Sequence, residues 1–187
     1  MSTPALLIFE PNVAFFFRWN GMPAGLGVDL GEALKDLVAL PRPLDGVIHE
    51  AAERRQLPDA LTHRAVSPDS LLFTVLGRLF AIWDEPNIPP QFGFARDDAP
   101  PRRYSDFAAL WVTAENLERK KETVCYEYHL AIRAADGRPL EQAGNTFGLD
   151  TLTVWIKVYQ GSKLLFEGSS GDYQRWLPAA TEPSDAA

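Results

Sequence analysis

The strongest pattern in the chain is the strict alternation of apolar and polar residues in TVCYEYHLAIRA (residues 123–134) and TLTVWIKVY (residues 151–159). This alternation predicts two half-buried β-strands, because successive side chains of a strand point to opposite faces of its sheet. The apolar parity consists of Val124, Tyr126, Tyr128, Leu130 and Ile132 in the first strand and of Leu152, Val154, Ile156 and Val158 in the second. We expect this parity to face the core.

The opposite parity of the two strands is chemically mixed. It carries charged, aromatic and small side chains: Cys125, Glu127, His129, Ala131 and Arg133, then Thr151, Thr153, Trp155, Lys157 and Tyr159. A face that meets only water has no need of a tryptophan, and Trp and Tyr are enriched at binding hot spots. We therefore predict that a partner binds here, through Glu127, His129, Arg133, Trp155, Lys157 and Tyr159. The alternative is that a helix or a loop covers the two aromatic rings.

Glu127 and His129 allow a second interpretation of the same face. Residues i and i+2 of a strand share a face, and a carboxylate beside an imidazole is the minimal acid–base pair. In that case the chain is a small enzyme or a ligand-binding domain with a pocket lined by the sheet, and Arg133 holds a carboxylate substrate. The plainer interpretation is a solvated face with cross-strand ion pairs, one of them between Arg133 and Glu127.

The remaining patterns predict an α+β fold in three consecutive parts. Ala5–Glu10 and Val13–Trp19 flank the turn-forming Pro11-Asn12 and predict an N-terminal β-hairpin. Four to five central helices are expected, near 29–40, 45–56, 68–83 and 105–122. Asp29 and Glu32 would form a capping box for the first, Ser67-Pro68 would begin the third, and Ser105 would cap the last. An antiparallel β-meander at 123–134, 138–142, 151–159 and 163–169 completes the fold and packs on the helices.

Three segments stand outside this pattern. Residues 85–103 contain five prolines and are expected to form a long loop with a functional or mobile character. Gly25–Gly31 lies where a phosphate-binding loop belongs, but its glycine spacing matches no phosphate-binding motif, which favours a structural loop. Residues 178–187 are small and polar, so we expect a single domain at 1–177 followed by a disordered tail.

Composition narrows the classes of partner. The chain has 187 residues and a net charge of −7, which disfavours nucleic acid as a partner. One cysteine and three scattered histidines exclude an intramolecular disulfide and predict neither a metal site nor a cofactor. No apolar run is long enough to cross a bilayer, and no signal peptide is evident, which together favour the cytoplasm.

These observations favour a cytoplasmic, acidic protein-binding module over an enzyme. Inhibitors and immunity-type proteins that neutralise a protein partner by surface docking have this kind of composition. A homodimer also stays open.

Overall fold

A computed structural model describes residues 3–10, 13–18, 20–39, 65–82, 95–96, 110–140 and 152–181. The strands are β1 (Ala5–Phe9), β2 (Val13–Phe17), β3 (Val38–Ala39), β4 (Ala65–Val66), β5 (Ala95–Arg96), β6 (Leu110–Val112), β7 (Tyr126–Ala134), β8 (Leu152–Gln160) and β9 (Lys163–Ser169). The helices are α1 (Val28–Leu34), α2 (Pro68–Ile82), α3 (Ala114–Lys121) and α4 (Ser170–Thr181), and a π-helical turn, Pro23–Gly27, leads directly into α1.

Seven of these strands form one mixed sheet in the order β5-β6-β2-β1-β7-β8-β9. The pairings of β1 with β7 and of β5 with β6 are parallel, and the other four are antiparallel. The two short strands β3 and β4 form a separate parallel pair. β1 therefore lies between β2, which follows it directly in sequence, and β7, which comes much later. Strands from the two ends of the sequence are neighbours in the middle of one sheet.

The predicted arrangement of hairpin, central helices and C-terminal meander is wrong. β1 and β2 do pair antiparallel, but β1 also pairs along its whole length with β7 and lies inside the sheet. The physical reason is that β1 (ALLIF) is apolar on both parities, and all five residues are at most 4% exposed. A strand that is apolar on both faces must be covered on both, which an isolated hairpin cannot provide.

Two predicted helices are also corrected. The helix expected at 29–40 ends at Leu34, because Asp36 adopts a left-handed φ of 58° and the chain continues into β3. The expected capping box at Asp29 does not form, since the π-helical turn already leads into α1 and leaves no side-chain cap. The last central helix was expected to begin near residue 105. Leu110–Val112 instead forms β6, which pairs with β2, and the helix begins at Ala114.

Among the remaining predicted elements, one helix start is confirmed and one strand is much shorter than expected. α2 begins at Pro68 directly after Ser67, as predicted. The expected strand at 138–142 is reduced, within the described residues, to one bridge between Arg133 and Pro139. Within the proline-rich segment 85–103, residues 95–96 form β5, and the rest lies outside the described residues. The predicted helix at 45–56, with His49, also lies outside them.

The C-terminal part contains a helix that was not predicted. α4 begins directly after β9 and extends through Pro178 to Thr181, into the segment expected to be a tail. Ser169 and Asp172 form its capping box: the Ser169 amide donates to Asp172 Oδ2 at 3.3 Å, and the Asp172 amide donates to Ser169 Oγ at 3.2 Å. Residues 182–187 lie outside the described residues.

The larger core lies on the side of the sheet that carries α1, α2 and α4, which we call the helical face. Its central strand residues are fully buried: Leu7, Tyr128, Leu130, Ile156 and Val158. From the helices, Leu30, Val75, Leu79 and Tyr173 pack against them. On the other side of the sheet, α3 covers only the β6-β2-β1 half, where Leu117 packs with Leu6, Ile8, Ala14 and Val112.

Two tyrosine hydroxyls anchor the glycine-rich turn to the helical face. Tyr128 donates to the carbonyl of Gly21 at 2.9 Å, and Tyr173 donates to the carbonyl of Gly27 at 3.0 Å. Burial raises the pKa of both hydroxyls far above the ordinary value for tyrosine. Both side chains therefore remain neutral donors, and the turn is fixed against β7 and α4.

Candidate functional site

On the side of the sheet opposite the helical face, α3 lies over β6, β2 and β1. The surface of β7, β8 and β9 on that same side is what we call the polar face. The register places Glu127 opposite Tyr159, His129 opposite Lys157 and Ala131 opposite Trp155. β9 then adds one carboxylate, because Glu167 lies opposite Lys157. We define the polar face by seven side chains: Glu127, His129, Arg133, Trp155, Lys157, Tyr159 and Glu167. Six of these are the residues that the sequence predicted, and the strand pairing brings them together on one face.

Glu127 and His129 are hydrogen-bonded. His129 Nε2 lies 2.9 Å from Glu127 Oε2, and because a carboxylate only accepts, the imidazole N–H donates. The two side chains are 22% and 16% exposed, so neither is free in solvent. The rings of His129 and Tyr159 pack edge to face, with their centroids 5.3 Å apart. The carboxylate thus orients the imidazole.

Lys157, Glu167 and Trp155 form a second group across β8 and β9. Glu167 Oε1 lies 3.0 Å from Lys157 Nζ and accepts a hydrogen bond of 3.4 Å from Trp155 Nε1. The hydrogen bond from Lys157, supported by the one from Trp155, lowers the pKa of the Glu167 carboxyl below its ordinary value. One carboxylate therefore orients both a cation and an indole on the polar face.

Arg133 pairs with Glu10, not with Glu127 as the plainer interpretation had it. The pairing follows from the parallel register, which places the end of β1 beside β7, and the Glu10 amide donates to the carbonyl of Leu130 at 2.9 Å. Arg133 is 17% exposed while Glu10 is 38% exposed. The carboxylate is therefore the more accessible partner of this pair.

Trp155 is partly buried, and the described residues include a segment that lies against its ring. The contact comes from the turn that follows β7, where a β-carbon at Gly137 would lie 2.7 Å from Trp155 Cζ2. The sequence did not indicate Glu167 or this turn as part of the site. Glu167 was missed because a β-bulge between Leu164 and Phe166 interrupts the alternation of β9.

Three backbone amides of the glycine-rich turn are already hydrogen-bonded and do not bind a phosphate. The amides of Gly25 and Gly27 donate to the carbonyl of Met22, and the amide of Leu26 donates to the carbonyl of Asn20. All three backbone donors are therefore used within the turn, which supports the interpretation of this segment as a structural loop.

Two further searches of the described part of the chain are negative. No group of three or more His, Cys, Asp or Glu side chains within it is placed to hold a metal ion. None of its helices is long and apolar enough to cross a membrane.

Comparison of the chain with protein-family models, curated proteins and solved structures finds no match.

Proposed function

We propose that the chain is a protein-binding module that docks a partner through the polar face. The observation that supports this most is the composition of that face: two aromatic side chains, Trp155 and Tyr159, lie on β8 on either side of Lys157, among charged groups that are already paired and oriented. Aromatic anchors surrounded by ordered polar groups are the usual anatomy of a binding hot spot. An inhibitor or immunity-type protein, which acts by covering its partner, is the functional class we favour.

The charges of the chain favour a basic partner. The protein carries a net charge of −7, and opposite charge on a partner accelerates encounter. On the polar face the accessible end of the Arg133–Glu10 pair is the carboxylate, and Glu167 is 39% exposed beside the 34% exposed Lys157. We therefore propose that the partner places basic side chains over Glu10 and Glu167 and contacts Trp155 between them. The cytoplasm is the proposed location.

The test is parallel affinity capture from native cell lysate with three baits: wild type, Trp155→Ala and Trp111→Ala. Trp111 is the matched control, because it is also a strand tryptophan and is 45% exposed, but it lies on β6, away from the polar face. We expect wild type and Trp111→Ala to retain the same basic protein. Trp155→Ala should lose at least about 2 kcal/mol of binding free energy, which is the scale of a hot-spot residue.

Two results would contradict this proposal. Equal retention of the partner by all three baits would show that the polar face is not the docking surface. A loss of unfolding free energy in Trp155→Ala as large as that of Leu76→Ala, a 2% exposed residue of α2, would show that Trp155 is ordinary core.

The hydrogen bond between Glu127 and His129 supports a second candidate function, a small enzyme or ligand-binding domain that uses this acid–base pair. Its ligand is a small molecule, so the low-molecular-weight fraction of the lysate should raise the melting temperature of wild type. The same fraction should leave Glu127→Gln and His129→Asn unchanged, because each substitution removes one member of the pair. Equal responses of all three proteins would exclude the pair as the ligand site.

A further inference from the structure

The turn after β7 fits against the ring of Trp155 only because it contains a glycine. A β-carbon at Gly137 would lie 2.7 Å from Cζ2 and 2.8 Å from Cη2 of the indole. Carbon atoms in ordinary contact are about 3.5–4.0 Å apart, so any other residue would push the ring aside. Gly137 also has a φ of 84°, a conformation that other residues rarely adopt.

The turn is closed by its own hydrogen bonds. The Gly137 amide donates to the carbonyl of Ala134 at 2.8 Å, and the Ala134 amide donates to the carbonyl of Arg138 at 3.0 Å. Asp136 accepts from the Arg138 amide at 3.1 Å and from Arg138 Nε at 2.7 Å. Ala134–Arg138 is thus a compact turn held by four internal hydrogen bonds.

The pyrrole nitrogen of the indole is held as well. Trp155 Nε1 donates to Glu167, and Glu167 is itself fixed by Lys157. The indole is therefore contacted by Gly137 at its benzene ring and by a carboxylate at its pyrrole nitrogen. An aromatic side chain that is ordered before association loses less conformational entropy when a partner binds.

We infer that the Ala134–Arg138 turn, with Gly137 at its centre, is the positioning element of the docking site. It sets the orientation in which the Trp155 indole is presented. Gly137 is in this sense a positioning residue, because it acts on a partner through the indole. The inference rests on the proposed docking function, and it adds residues that the alternation of β7 and β8 does not include.

The test follows the indole directly, in full-length protein labelled with 5-fluorotryptophan. The chain has five tryptophans, and the fluorine resonance of Trp155 is assigned as the one missing from Trp155→Phe. We expect Gly137→Ala to move this resonance by more than its linewidth and to leave the other four in place. Gly137→Ala should also retain at least about tenfold less partner in the capture experiment, equivalent to 1.4 kcal/mol of binding free energy.

Gly161→Ala is the matched control. Gly161 also has a positive φ, 56°, but a β-carbon there would meet no atom within 4 Å. Both substitutions therefore strain the backbone of a turn, and only one of them places an atom against Trp155. We expect Gly161→Ala to leave the Trp155 resonance and the captured partner unchanged.

Asp136→Ala is the second variant, to be used if Gly137→Ala does not fold. Asp136 is an exposed side chain whose removal takes away both bonds to Arg138 without adding a steric contact. We expect the Trp155 resonance to shift or broaden in this variant, because the turn that supports the ring is loosened.

The outcomes separate the inference from the proposed function. A Trp155 resonance that stays in place in both turn variants overturns the positioning role, whatever the protein binds. A resonance that moves while the partner is retained as in wild type also overturns it, provided that Trp155→Ala loses the partner. If Trp155→Ala keeps the partner, the docking function fails, while a moved resonance still supports the turn as the element that orients the ring.

Discussion

The two faces of β7 and β8 come from the same strands and differ in almost every physical respect. On the helical face, Tyr128, Leu130, Ile156 and Val158 are fully buried under helices. On the polar face, the residues between them form side-chain pairs that are partly exposed, such as His129 with Glu127. The comparison shows that alternate residues of the same strands can pack into a core on one side and form a partly exposed polar surface on the other.

The largest effect should come from truncating adjacent residues that point to opposite faces. Ile156→Ala removes a fully buried side chain and should lower the free energy of unfolding by about 2–5 kcal/mol. Lys157→Ala removes one member of a partly exposed ion pair and should cost about 0–1 kcal/mol. Chemical unfolding of both variants measures the difference. Equal losses would show that the polar face is packed as tightly as the helical face.

Removing single hydroxyl groups sharpens the comparison. Tyr128→Phe leaves the buried carbonyl of Gly21 without its donor and should cost about 1–3 kcal/mol. Tyr159→Phe, on the polar face, should change the free energy of unfolding by about 0.5 kcal/mol or less. Both variants keep the aromatic ring, so chemical unfolding reports the hydroxyl alone. If Tyr159→Phe loses as much free energy of unfolding as Tyr128→Phe, the Tyr159 hydroxyl contributes as much to stability as the buried hydroxyl of Tyr128, and the expected difference between the faces is wrong.

The cap of α4 should make part of the stability of the helical face depend on pH. The hydrogen bond from the Ser169 hydroxyl, assisted by its amide and by Arg175, lowers the pKa of Asp172 in the folded protein. A carboxyl whose pKa is lowered by folding stabilises the protein above its unfolded pKa, and this contribution is lost as pH falls through the folded value. We expect Asp172→Asn to be less stable than wild type at neutral pH and the difference to shrink below the ordinary value of 3.8. A difference that is constant with pH would contradict this.

The smallest effect should come from the C-terminal residues. Deleting 182–187 leaves α4 intact and should shift the melting temperature by less than about 2 °C, well under the effect of 1 kcal/mol. Deleting 178–187 also removes the last residues of α4, two of which are exposed, and should cost slightly more. Thermal unfolding of the two deletions compares them. A large shift in the shorter deletion would show that residues 182–187 contact the rest of the chain.

Sequence reasoning predicted the polar face because alternation in β7 and β8 is a local property. It failed where pairing between distant residues decides the structure. The position of β1 inside the sheet and the Glu10–Arg133 pair both depend on the parallel register with β7, which no local pattern contains. At Leu110–Val112 the apolar spacing suited a helix, but pairing with β2 favoured a strand.

α4 is a different kind of failure, because a local signal was present. Ser169 and Asp172 have the spacing of a capping box, and Tyr173, Trp176 and Leu177 have helical spacing. Pro178 and the small, polar residues after it suggested a tail instead, and the glycines at 168 and 171 disfavour a helix. The capping residues outweigh them because they satisfy amides that the first turn of a helix otherwise leaves free.

The parallel pairing of β1 with β7 has a consequence for how the chain folds. Ala5 pairs with Tyr126, so the centre of the sheet forms only after most of the sequence has been synthesised. The β1–β2 pair is available early, but its apolar strands stay exposed until β7 arrives. Folding that waits for such distant contacts is slow, and unpaired apolar strands promote aggregation in the interval. We therefore expect a fragment that lacks residues from 126 onward to aggregate at a lower protein concentration than the full chain.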